Sequence, residues 1–70
     1  MKGFVRRPNG LTKNTIKDKD LLFELRAIEP GKWQKVYKDG MLDGSRVSLH
    51  YFESPSGKVF NPKIVPGWSN

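Results

Sequence analysis

The chain has no cysteine, and with one histidine it lacks the ligand set of a structural zinc site. Neither a disulfide nor a structural metal is expected to steady the fold. It also has no long hydrophobic run. The Leu21–Ile28 stretch is interrupted by Glu24 and Arg26, so no transmembrane helix fits. Met1–Gly10 is charged and lacks an apolar core of signal-peptide kind, and no secretion signal is read there. The seven acidic residues are scattered. That argues against a metal-dependent nuclease, which gathers carboxylates around its ions. There is no glycine-rich phosphate loop, Cys–His cluster or paired acidic motif. No metal site and no cofactor is expected.

What remains is a basic chain of 70 residues, read as a single domain over 1–70. A chain this short buries only about 60% of the surface its unfolded form exposes. Hydrophobic burial then roughly balances conformational entropy. Trp33, Trp68, Phe4, Phe23, Phe52, Phe60, Tyr37 and Tyr51 are the expected core, because aromatics bury much area for little rotamer entropy. Thirteen Lys and Arg against seven Asp and Glu give a net +6. The excess is uneven: residues 1–20 hold six cations and two carboxylates, a net +4. Such a field attracts phosphate backbones. A charge of this size also serves simply to keep a small domain in solution.

The pattern predicts α+β architecture: a small antiparallel meander of three to four strands, a short N-terminal helix and a basic N-terminal arm. Residues 1–14 hold Gly3, Pro8, Asn9 and Gly10 among cations and read as an irregular lead-in, with 15–70 as the folded body. Thr15 is a candidate N-cap, and a short helix is expected near 12–20. Leu21–Glu29 reads either way. As a helix, Leu21, Leu22, Leu25 and Ile28 share a face; as a strand, Phe23, Leu25 and Ala27 alternate with Glu24, Arg26 and Ile28. Pro30-Gly31 between two segments of similar length favours a strand over 22–29. Lys32–Lys38 is the next strand, and Asp39-Gly40 and Asp43-Gly44 bracket a connecting loop. Arg46–Glu53 is the best strand of the chain, with Val47, Leu49 and Tyr51 on one face and Ser48, His50 and Phe52 on the other. Ser54–Gly57 is a turn. Lys58–Val65 follows, and Pro62 makes it an edge or breaks it.

His50 is the one side chain suited to proton transfer near neutral pH. Cleaving RNA without a metal uses the neighbouring 2′-hydroxyl as nucleophile. It needs a base for that proton, an acid for the leaving oxygen and cations around the phosphorane. His50 takes a proton-transfer role in this reading, with Arg46 as a planar phosphate fork and Lys35 and Lys58 completing the cationic site. Arg6, Arg7, Lys13 and Lys17 would contact backbone phosphates. Phe52, on the His50 face, would stack on an unpaired base. For most of the aromatics a place in the core is the competing reading.

The run from Val47 to Trp68, with Ser56-Gly57-Lys58-Val59 and Pro66-Gly67-Trp68, resembles the C-terminal hairpin of tRNA-cleaving colicins. It is also similar to the ribonuclease toxin domains of bacterial contact-dependent inhibition and other polymorphic toxins. The likeness covers about a third of the chain. It implies a fold of the barnase and RelE-like kind, with helices packed on one side of a sheet whose open face holds RNA. It also implies tRNA or another RNA as substrate, a metal-independent cut, and a tight-binding acidic immunity or antitoxin protein. Delivery as the C-terminal part of a secreted toxin and a cytoplasmic site of action are implied as well. Two other readings stand beside this one. The first is a non-catalytic nucleic-acid-binding module of small-barrel type. The second is a protein-interaction domain whose Lys58–Val65 edge accepts a strand from an acidic partner.

Overall fold

A computed structural model describes residues 3–69. Met1 and Lys2, the start of the expected lead-in, and Asn70 lie outside the described residues. The elements are β1 (Phe4–Thr15), α1 (Lys19–Ile28), β2 (Gln34–Leu42), β3 (Ser45–Glu53) and β4 (Val59–Pro66). The four strands form one antiparallel sheet in the order β1-β2-β3-β4. β1 and β4 are its two edges, so the sheet is open rather than closed into a barrel. Among the described residues no helix is long and apolar enough to cross a membrane.

The N-terminal third differs from the sequence expectation in two ways. The basic stretch is not an irregular arm: it is β1, paired to β2 from Phe4↔Leu42 to Thr15↔Gln34. Its turn-forming residues are absorbed in a wide bulge. Between Arg6↔Gly40 and Leu11↔Lys38, the four residues Arg7–Gly10 face Asp39 alone, and Asn9 takes a φ of 58°. The helix lies at Lys19–Ile28, not near 12–20, and Leu21–Ile28 is helical rather than extended. Asp18, not Thr15, is the N-cap: its carboxylate accepts from the amides of Asp20 (3.1 Å) and Leu21 (3.2 Å). The Leu- and Ala-rich run then follows its intrinsic preference. Leu21, Leu22 and Leu25 turn onto Ile16, Trp33, Phe52 and Phe60. Glu29 leaves helical dihedrals because Pro30 disfavours them in its predecessor.

The helix end is tied down by side chains. Trp33, 1% exposed, donates its indole N–H to the Glu29 carbonyl at 2.8 Å and meets the Phe60 ring edge-on at 5.0 Å. The Glu29 carboxylate accepts from the Ser56 amide (2.8 Å) and hydroxyl (2.7 Å). The bond from the Ser56 hydroxyl chiefly holds its pKa below the usual range, opposed by burial and helped by the Ser56 amide and the Lys58 charge. One helix end is thereby joined to the β3–β4 turn. Of the aromatics expected in the core, Trp33 and Tyr51 are buried and Phe52 and Phe60 pack against the core cluster; Phe4, Tyr37 and Trp68 are half-buried outside it, and Phe23 is 79% exposed on α1.

The two Asp-Gly pairs have different fates. Asp43-Gly44 is the two-residue hairpin turn between β2 and β3, with φ of 50° and 78°. Asp39-Gly40 lies inside β2 instead of opening a loop. Gly40 is there for space: a Cβ would stand 2.4 Å from the Val5 carbonyl and 2.5 Å from the Phe4 ring. In β4, Asn61 (φ 51°) and Pro62 together face Tyr51, so the proline sits in a bulge of an edge strand, where its missing N–H costs little.

Candidate nucleic-acid interface

Cross-strand partners share a face of the sheet. The register pairs Lys35 with Phe52, Tyr37 with His50, Asp39 with Ser48 and Met41 with Arg46. β4 adds Phe60 to the Phe52 row, Lys63 to the His50 row and Val65 to the Ser48 row. On this face α1 covers the end where Phe52 and Phe60 lie. The Tyr37–His50–Lys63 row lies next to it.

His50 is half-buried, its ring centroid 4.4 Å from that of Tyr37. It lines a hollow of about 230 Å³ with Lys35, Phe52, Asn61, Lys63 and Tyr51. Burial is the main reason its pKa falls below the ordinary histidine value. The Lys35 and Lys63 charges push the same way, and Asp39 opposes them. The imidazole is therefore mostly neutral at pH 7. Its Nε2 is buried without a hydrogen-bond partner, as is the Ser48 hydroxyl two residues away on the same face.

A second hollow, of about 330 Å³, adjoins the first. It is lined by Asn14, Lys17, Asp18 and Leu21 from the β1–α1 corner, and it shares Lys35 and Phe52 with the His50 hollow. The Lys35 ammonium lies 5.4 Å from the Tyr37 ring centroid, and Tyr37 also lines this second hollow.

At the far end of the same face the cations are already engaged. The Arg7 and Arg46 guanidiniums lie 4.1 and 4.5 Å from the Trp68 ring centroid. Trp68 donates to the Gly40 carbonyl at 2.8 Å. Below it, Asp39 has no exposed surface. It accepts from the Ser69 amide (3.1 Å) and hydroxyl (2.9 Å), with Arg7 at 4.0 Å. Burial alone would raise the Asp39 pKa. The nearby Ser48 hydroxyl, the Ser69 hydrogen bonds and the Arg7 charge outweigh it and hold the group ionised below its usual value.

The residues nominated from sequence thus separate. Lys35, His50 and Phe52 come together. Lys17 stands at the adjoining hollow. Arg46 shares the His50 face but lies four residues along β3, against Trp68. Arg7 is in the same clasp. Lys58 sits beyond the sheet beside the β3–β4 turn, where its charge acts on Glu29. Arg6 and Lys13 point to the opposite face, and Lys13 pairs with Glu53 at 2.9 Å across β2, where Val36 is fully buried. Lys63, Asn61 and Tyr37 were not nominated. Lys63 is found only by pairing β4 on β3 with the Asn61-Pro62 bulge counted, since the bulge shifts the register by one. Among the described residues no group of three or more His, Cys, Asp or Glu could hold a metal ion. The chain matches no family model, no curated protein and no solved structure.

Proposed function

We propose that this protein is a small metal-independent endoribonuclease of toxin-like kind, with His50 as general base. The supporting observation is the lone imidazole, held neutral in a hollow between the Lys35 and Lys63 ammonium groups. In the step proposed, a 2′-hydroxyl attacks the adjacent phosphorus while its proton passes to His50. The bond from phosphorus to the 5′-oxygen breaks, and that oxygen takes a proton from water or a lysine ammonium. The products are a 2′,3′-cyclic phosphate and a free 5′-hydroxyl. Lys35 and Lys63 stabilise the charge gathered on the phosphorane.

The test is incubation of the purified protein with total RNA in chelator. Cleavage by wild type, with a loss of about 10²–10⁴-fold in His50→Ala, is the expected outcome. Because the His50 pKa is depressed, the acid limb of the rate profile should fall below the ordinary histidine value near 6.5. Intact RNA with both proteins removes the catalytic assignment.

The buried, unpartnered Nε2 favours a second reading, in which the same face binds RNA without cutting it. Binding would then weaken steeply with salt and survive His50→Ala. An acidic protein as partner rests on the net charge alone.

A further inference from the structure

We infer that the hollow beside His50, at the corner between β1 and α1, seats one unpaired nucleobase and makes the protein a reader of single-stranded RNA. This deepens the proposed function and rests on it for the identity of the ligand, not for the occurrence of cleavage.

Three observations converge. First, position: the two hollows meet at Lys35 and Phe52, so a nucleotide whose base lies in one has its phosphate within reach of the lysines of the other. Second, surface chemistry: Phe52 is half-buried, packed in part against the core under α1, and its remaining surface lines both hollows as an apolar wall. A base stacked on such a ring gains affinity whatever its identity. Third, edge chemistry. Asn14 pairs with Lys35 across the strands and stands exposed on the same face, carrying both donor and acceptor. One carboxylate oxygen of Asp18 is occupied by the helix cap; the other accepts no hydrogen bond among the described residues. Asn14 and Asp18 can therefore discriminate between base edges, while Lys17 faces the following phosphate.

A base in a duplex is stacked on both sides and cannot enter such a hollow unless it is splayed out. Selection for single strands follows, in loops or at ends.

The test follows backbone and side-chain resonances of the full chain on titration with three probes: inorganic phosphate, a short single-stranded oligoribonucleotide, and a duplex of equal length. Phosphate should move only the Lys35, His50 and Lys63 signals. The single strand should in addition move Asn14, Lys17 and Phe52, and bind at least tenfold more tightly than the duplex. Phe52→Leu keeps the apolar packing and removes the ring; it should lose about tenfold in single-strand affinity. Asn14→Ala, at an exposed position, should alter the ranking of the four homopolymers and leave the phosphate response unchanged. If the single strand moves only the His50 row, and both variants bind all homopolymers as wild type does, no base is seated there, although cleavage at His50 could still stand. If no probe moves the His50 row, the proposed function falls as well.

Discussion

The two ends of one sheet face use the same kinds of residue in opposite ways. At the Trp68 end, arginines lie on an aromatic ring and a buried carboxylate has its bonds filled from Ser69. At the His50 end, the Lys35 ammonium lies 5.4 Å from the Tyr37 ring centroid, and Lys35 and Lys63 line a hollow with no carboxylate in its lining among the described residues. Cations next to aromatics thus stand in two different settings in this chain. At one end a carboxylate lies with them and the C-terminal residues close over it; at the other the cations border an open hollow. Which of the two occurs depends on whether a later segment of chain returns to cover the face. Gly67, whose amide bonds back to the Arg46 carbonyl at 2.9 Å, is where that return is fixed.

Trp68→Ala should have the largest effect on stability. Loss of a half-buried indole, its hydrogen bond and both guanidinium contacts should cost about 2–3 kcal/mol, near the lower bound for aromatic truncation. Denaturant unfolding measures it. An effect under about 0.5 kcal/mol would mean that the clasp closes nothing. Asp39→Asn comes next, at about 1–2 kcal/mol, because Ser69 and Arg7 lose a charged acceptor. The sign with pH is fixed by the depressed pKa. The Asp39 contribution is complete above its unfolded value near 3.8 and is lost as pH falls through the lower folded value. Wild type should therefore lose more stability than Asp39→Asn on acidification below about pH 4.

Lys63→Ala and Arg46→Ala divide the two ends directly. Lys63→Ala should leave the thermal midpoint unchanged and reduce the salt slope of single-strand RNA binding by about 0.7. Arg46→Ala should lower the midpoint and leave the salt slope nearly as it was. Were the two variants to behave alike, the division would fail. The smallest effect is expected from Lys13→Ala on the opposite face. Its exposed ion pair with Glu53 is worth at most about 1 kcal/mol and should be screened by salt.

The sequence made some of this legible, for identifiable reasons. The Val47–Phe52 alternation is strict, so the faces of β3 can be read without coordinates. Asp43-Gly44 and Ser54–Gly57 are local turn chemistry and are readable for the same cause. The N-terminal half was not, because its elements are decided by partners. Arg6–Gly10 carries every mark of a loop, and it forms a strand because β2 offers an edge and a bulge absorbs the surplus residues. Leu21–Ile28 lacks a decisive period; Trp33 and Ile16, each outside the segment, decide for a helix by packing on its leucines. In the site, His50 and Phe52 were accessible from one strand's alternation. Lys63 and Tyr37 needed the pairing of three strands, and the engagement of Arg7 and Arg46 needed the path of the C-terminal residues.

Pro8 and Pro62, each within an outer strand, share one further property. Pro8 adjoins Asn9 and Pro62 adjoins Asn61, both asparagines have positive φ, and the two pairs interrupt the two outer strands. Neither border of the sheet runs straight for its full length. A solution of this protein should consequently resist fibril growth at concentrations where an unbroken border would template it, even with Val5, Leu11 and Val59 more than 40% exposed along those same strands.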